Sequence, residues 1–307
     1  MCYNESTSRG KGAEPITELS LLIQPSWEGQ LLRRVALGPL SMSYSQFKRA
    51  KFQGQLLLDG TPVHADARVR AGQLLVIRVP EGDDSPIAPY SLPLRVPYHR
   101  DGLLIVDKPA PLPSVASRQA QGQTLENALF SYLHCPSDFV YHPVNRLDKG
   151  TSGLMTVALT AHVQQRLQPL LHTGGFQREY LALCQGTPPQ EEGSISQPIA
   201  KAPGATVRRM VDPGGKPALT HYRLLKASRG RSLLLLRLGT GRTHQIRVHL
   251  SWLGCPVLGD FLYGQEDPAL PGRFALHSHR LSLAHPLTGE NISLESPLPP
   301  VLERLLP

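Results

Sequence analysis

The chain has 307 residues, enough for two domains, or for one large and one small. Hydrophobic residues make up 40%, which excludes a disordered chain, and no apolar run approaches the roughly 20 residues needed to span a bilayer. A formal charge of +8 and a pI near 9.5 favour a polyanionic partner. The polar start, M-C-Y-N-E-S-T-S-R-G-K-G, lacks the apolar region of a signal peptide. Residues 1–18 are read as a disordered tail on a cytoplasmic protein. Cys2, Cys135, Cys184 and Cys255 form no C-x-x-C pair, the pattern of reduced, buried thiols.

Residues 19–24 read as a strand that packs Leu21 and Ile23 inward. Between 29 and 37, Leu31, Leu32, Val35 and Ala36 recur at helical spacing, with Arg33 and Arg34 on or near the other face. After the Gly38-Pro39 turn, Ser43 or Ser45 is placed to cap a second helix carrying Phe47, Lys48, Arg49 and Lys51. A strand over 55–58, the hairpin signal Asp59-Gly60, a strand around Val63 and a strand over 74–79 complete a small α/β unit at 19–80. Residues 81–97 are dense in proline and acidic residues. Proline forbids helix and resists a central strand, so this stretch is read as a semi-stiff linker.

In the remainder, 98–307, strands are predicted at 103–106, 154–159, 180–183, 194–199, 219–226 and 232–238. Helices are predicted at 124–133, capped by Thr124, at 160–171 and at 242–252. The expected class is α+β, a mixed and largely antiparallel sheet flanked by helices.

One stretch stands out. Residues 143–154, P-V-N-R-L-D-K-G-T-S-G-L, put a lone carboxylate, Asp148, in a loop whose glycines allow a sharp turn before a buried strand. By itself, an Asp before Gly-Thr-Ser is more often a turn-former or helix cap than a catalyst. On the helix at 242–252, Ile246, Leu250 and Leu253 form the inward stripe. Arg247 lies about 100° from it, at the margin. A partly buried arginine calls for an anion. Asp148 is the natural candidate, and the pairing would hold it ionised; some structural carboxylate would also serve. His244 and His249 lack the glutamate of an H-E-x-x-H zinc site, and G-T-G-R-T is not a phosphate loop, so no metal or cofactor is expected.

Five segments occur in order: R-L-D-K-G-T-S-G-L from Arg146, R-E-Y-L-A from Arg178, G-T-G-R-T-H-Q-I-R-V-H-L from Gly239, G-C-P-V-L-G-D-F-L-Y-G from Gly254, and H-P-L-T-G-E from His285. Together they resemble the motifs of the RluA-like pseudouridine synthases, which convert uridine in structured RNA to its C-glycosidic isomer. The resemblance covers about two thirds of the chain. It implies that 98–307 is a catalytic domain needing no cofactor, with Asp148 as nucleophile or base and Arg247 as its ion-pair partner. It implies that Tyr180 packs on the target uracil and that Arg146 occupies the space left by the flipped base. Attack on ribose carbon 1, attack on ring carbon 6 and removal of a ribose proton all remain open to Asp148. Asn145 departs from the family, which usually has histidine there; loop packing or RNA contact is affected.

The unit at 19–80 looks like the small RNA-binding domain named after a ribosomal small-subunit protein. That implies phosphate contacts from Arg33, Arg34, Lys48, Arg49 and Lys51. The expected partner is structured RNA, ribosomal ahead of transfer RNA, with no membrane and a monomeric protein. A non-catalytic RNA-binding or chaperone protein with the same fold is the competing reading; the presence of Asp148, Tyr180 and Arg247 together argues against it. A glycosidase would need two carboxylates, and only one is evident in the motifs.

Overall fold

The computed structural model describes residues 4–8, 16–40, 42, 44–80, 87–116, 122–135 and 139–307. The chain divides into two compact units, 1–87 and 88–307.

The first unit holds a five-stranded antiparallel sheet in the spatial order Asn4–Ser8, Ile16–Leu22, Leu74–Pro80, Gln55–Leu58, Thr61–Pro62. Helices Leu32–Leu37 and Tyr44–Gln53 contribute Leu32, Val35 and Phe47 to a core shared with Leu21, Leu75 and Ile77. Asp59 and Gly60 both take positive φ, 50° and 77°, as a two-residue hairpin turn of this hand requires. Two expectations are corrected here. Residues 4–8 and 16–18 are strand and not tail: Glu5 pairs with Leu19 and Thr7 with Thr17. Backbone groups along the open edge of Ile16–Leu22 need partners, and a polar segment supplies them as well as an apolar one. Ser45 lies inside the second helix, so it is no cap; Ser43 lies outside the described residues.

The second unit is built on a sheet in the order Glu192–Ile195, Thr220–Ser228, Arg231–Leu238, Phe176–Gln185, Leu276–Ala284, Ser152–Ala158, Leu103–Lys108, Arg95–Arg100. Asn291–Glu295 pairs with Leu276–Ala284, and His142–Pro143 with Ser152–Ala158. Pairing in this sheet is antiparallel except between Leu276–Ala284 and Ser152–Ala158, which run parallel. The unit is α+β. The helix after Thr160 ends at Leu167 and tightens into a 3-10 turn, Gln168–His172, because Pro169 has no N–H to continue the ladder.

The proline-rich stretch is only in part what its composition suggests. Residues 81–86 lie outside the described residues. Beyond them, Tyr90, Leu92, Leu94 and Val96 pack at alternate positions on the core of the second unit, and Arg95–Arg100 is a strand. Pro97 is tolerated there because this is the edge of the sheet. Cys184 and Cys255 are buried free thiols, whereas Cys135 is exposed in the turn after helix Leu125–Tyr132; Cys2 lies outside the described residues.

Candidate active site

Asp148 sits in a loop pinned on both flanks. The Ser114 hydroxyl donates to the Leu147 carbonyl at 2.6 Å, the Leu112 N–H donates to the Lys149 carbonyl at 2.9 Å, and the Thr151 N–H donates to the carbonyl of Asp148 at 3.0 Å. The glycines that follow are there for different reasons. A Cβ on Gly150 would lie 2.6 Å from the Phe274 ring. Gly153 has φ 106° and abuts the backbone of Ser278 on the parallel strand, leaving no room for a side chain. Asn145 is buried, and its Oδ1 accepts the Thr156 N–H at 2.9 Å. Its departure from the family histidine therefore bears on how the loop packs against its strand.

Beneath the loop lies Lys108, fully buried, donating to the carbonyls of Leu112 at 2.8 Å and Pro109 at 3.1 Å. Burial lowers its pKa from 10.5 to about 7, against the opposing pull of Asp148. The unfolded chain thus keeps this proton over a pH range in which the folded protein releases it. This group therefore adds stability as pH rises from about 7 toward 10.5. Lys108→Met should remove that increment: the gain in urea midpoint from pH 7 to pH 9 is expected to be larger in the wild type than in the variant.

Helix Gln245–Trp252 brings Arg247 to Asp148. The Arg247 Nη1 donates to Asp148 Oδ2 at 2.9 Å. Its Nε and Nη2 form a fork onto Asp260, at 2.7 and 2.8 Å. Asp260 is fully buried, and its Oδ1 also accepts the N–H groups of Leu262 and Tyr263 at 3.0 and 3.2 Å. The Phe274 ring lies 4.1 Å from the guanidinium carbon and the Tyr263 ring 5.0 Å. Arg247 is consequently only 2% exposed, not marginal as its helical phase suggests, because residues 257–274 fold over it. Burial opposes its charge, but the Asp260 hydrogen bond and the charge of Asp148 outweigh this and raise its pKa.

The helix starts three residues later than predicted. The Gln245 side chain accepts from the Arg242 N–H and the Thr240 hydroxyl, and it donates to the Leu219 carbonyl. His244, just before it, adopts a left-handed backbone with φ 58°.

A cavity of about 470 Å³ opens at Asp148. Its walls include Arg146, Arg178, Tyr180, Arg242 and His244. The volume suits a nucleotide-sized ligand. Tyr180 is 4% exposed, and burial raises its pKa so that the phenol is neutral. Arg178 has a buried Nε with no hydrogen-bond partner among the described residues. The structure thus brings Asp148, Tyr180 and Arg146 to one cavity, with Arg247 directly behind Asp148. Asp260, His244 and Arg178 belong to the same assembly although each was passed over in the motif reading. In the first unit, Arg33 and Lys51 share a groove of about 520 Å³ with Tyr44 and Phe52, and Arg34 is exposed. The side chains of Lys48 and Arg49 lie outside the described residues.

Comparison with known proteins places this site in context. Residues 102–252 match the RNA pseudouridylate synthase family. The chain is 35% identical over 272 residues to the uncharacterized RNA pseudouridine synthase YjbO of Bacillus subtilis, covering 88% of this chain and 96% of that protein. It is 37% identical over 302 residues to the ribosomal large subunit pseudouridine synthase D of Pasteurella multocida, covering 92% and 91%. Its fold is similar to that of human RNA pseudouridylate synthase domain containing 1, with a TM-score of 0.55 at 27% identity, over 68% of this chain and 86% of that one. Among the described residues no helix is long and apolar enough to cross a membrane.

Proposed function

The chain belongs to the RluA-like family of RNA pseudouridine synthases, which isomerise uridine within RNA, and we propose that Asp148 is the nucleophile or base of that reaction here. One observation carries the assignment. Oδ2 is held by Arg247 at 2.9 Å, while Oδ1 has no hydrogen-bond partner among the described residues and Asp148 lies at the wall of the cavity. One oxygen is fixed and the other is left for the substrate. The reaction breaks the bond from ribose C1′ to uracil N1 and rejoins the ring through C5, so the C5 hydrogen is lost to water. Tritium release from RNA labelled at uracil C5 is therefore the test, with RNA from a strain lacking the gene as substrate. Release by the wild type and none by Asp148→Ala is expected; no release by the wild type from any RNA fraction would overturn the reading.

The target uridine must leave its stack to reach this cavity. Tyr180 presents an aromatic ring for the extruded uracil, and the exposed Arg146 at the rim fills the gap it leaves. Stacking of this kind contributes about 1–3 kcal/mol per base. Tyr180→Phe is expected to stay within a few-fold of wild type, and Tyr180→Ala to lose about 5- to 150-fold in single-turnover rate on that basis. Equal losses in the two variants would assign the hydroxyl, not the ring.

The RNA substrate is proposed to be ribosomal. The 37% identical relative is named for the large ribosomal subunit and spans nearly the whole chain. The first unit supports a large RNA partner through Arg33, Arg34 and Lys51, with Lys48 and Arg49 beside them in sequence. Reversing charge at Arg33 and Lys51 together should weaken RNA binding uniformly across sequences and lower the salt slope by about one for each lost phosphate contact. Filter binding at several salt concentrations measures this.

A further inference from the structure

We propose that His244 is a further catalytic residue: a neutral imidazole whose Nε2–H hydrogen-bonds a uracil carbonyl oxygen and stabilises the negative charge that gathers there as the C1′–N1 bond breaks. The inference rests on the reading of Asp148 above and assigns the group that serves the other half of the scissile bond.

Hydrogen bonding within the protein is complete in one tautomer. The Tyr263 hydroxyl accepts the backbone N–H of Arg209 at 2.8 Å, and the same oxygen lies 2.8 Å from His244 Nδ1. A phenol has one proton to donate, and no other acceptor for it appears among the described residues. Donated to Nδ1, it gives both groups a partner within the protein and puts the ring hydrogen on Nε2. That nitrogen stands 3.9 Å from Asp148 Oδ2, too far for a hydrogen bond, and it makes none among the described residues. A donor without a partner therefore faces the carboxylate across the cavity that both residues line.

The backbone shows what holds the ring there. A non-glycine residue at φ 58° is disfavoured, and such strain persists only where the surroundings impose it. Here the Val248 N–H binds the His244 carbonyl at 2.9 Å, and the Gln245 side chain locks the turn before the helix. Burial, partly offset by Asp148, depresses the imidazole pKa and keeps the ring uncharged. Neutrality matters beside this carboxylate. An imidazolium would pair with Asp148 and blunt it, whereas a neutral ring donates while leaving the carboxylate free.

The electron balance is simple. As the C1′–N1 pair departs with the base, it delocalises over N1 and the two ring oxygens, and the Nε2–H hydrogen bond strengthens with that charge. Asp148 meets the electron-poor ribose. C5 then bonds to C1′, the C5 proton leaves to water, and N1 takes a proton from water. No other reactant is consumed. Attack on ring C6 would put the same charge on a ring oxygen, so the role of His244 does not depend on which route Asp148 takes.

The test compares leaving groups. RNA from a strain lacking the gene is labelled in one culture with uracil tritiated at C5 and in another with 5-fluorouracil. Tritium release is followed for the first. For the second, the readout is the appearance of a carbon-linked fluorinated nucleoside in digests. His244→Asn suits the left-handed backbone but is too short to reach, and His244→Gln restores an amide donor. His244→Asn is expected to slow the uridine reaction by about a hundredfold, the scale of one lost oxyanion donor. RNA affinity should be unchanged and His244→Gln should recover part of the rate. On 5-fluorouridine, whose ring carries negative charge more easily, the His244→Asn defect should shrink several-fold. An undiminished defect on the fluorinated RNA, or no defect on either, would overturn the proposal. Asp148→Ala must be silent on both substrates; activity there would sink the Asp148 reading instead.

Discussion

Asp148→Asn and Asp148→Ala are expected to lower single-turnover tritium release by more than about a thousandfold while leaving RNA affinity and the urea midpoint near wild type. The structure explains why so large a functional effect should come with little loss of stability. Removing one partner of a buried ion pair usually strands the other. Here Arg247 keeps its two hydrogen bonds to Asp260 at 2.7 and 2.8 Å and its place over the Phe274 ring, so its charge stays compensated. Asp148 is itself partly solvent-accessible at the cavity wall, and its loop is pinned through the backbone of Leu147, Lys149 and Thr151, which neither substitution touches. Asparagine retains an oxygen to accept from Arg247 and loses only the charge and the nucleophile. A variant that binds RNA and unfolds like wild type yet turns over normally would place the chemistry elsewhere. A variant that unfolds would show that Asp148 also supports the fold.

What could be read from the sequence, and what could not, divides by range of interaction. The strand over 55–58 with its Asp59-Gly60 turn and the helix after Thr124 are local events, and each was visible in residue type and spacing. So was the pairing class of the second sheet, since strand-rich segments alternate there with few helices. The packed part of the proline-rich stretch, read as linker, was masked by composition: Tyr90, Leu92, Leu94 and Val96 alternate with Ser91, Pro93 and Arg95, a strand-like period of two among turn residues. Asp260 illustrates the opposite case. Following a glycine, it reads as a turn-former, and it does accept the N–H groups of Leu262 and Tyr263. That it also holds Arg247 depends on the 257–274 segment folding over the helix, which no local pattern encodes. His244 lies within the motif from Gly239, but residue type does not encode its left-handed backbone or its bond to Tyr263, which comes from a distant segment. The helix start was ambiguous in sequence: Gly241 and Thr243 are both good caps, whereas the residue that holds the N-cap position, His244, makes no side-chain cap bond.

The second large effect is expected at Asp260 and is one of stability. Asp260 is fully buried and binds Arg247 through both oxygens, so Asp260→Ala leaves the Nε and Nη2 of a guanidinium that is 2% exposed unpaired, with only the Nη1 bond to Asp148 remaining. Breaking a buried pair in this way costs about 3–5 kcal/mol, a large share of the stability of an ordinary domain. Asp148 cannot take over, since Arg247 Nη1 reaches only its Oδ2 and the loop is fixed in place. Replacing both partners with apolar groups, Arg247→Met with Asp260→Leu, removes the charge and the anion together. Most of the lost stability should return in urea denaturation, because the Phe274 and Tyr263 rings already line the space. Turnover should not return, since Asp148 then lacks the cation that orients it. Recovery of stability without tritium release would separate the structural role of the Asp260–Arg247 pair from the positioning role of Arg247. Recovery of both would mean that Asp148 needs no partner, and that the loop backbone alone sets its geometry.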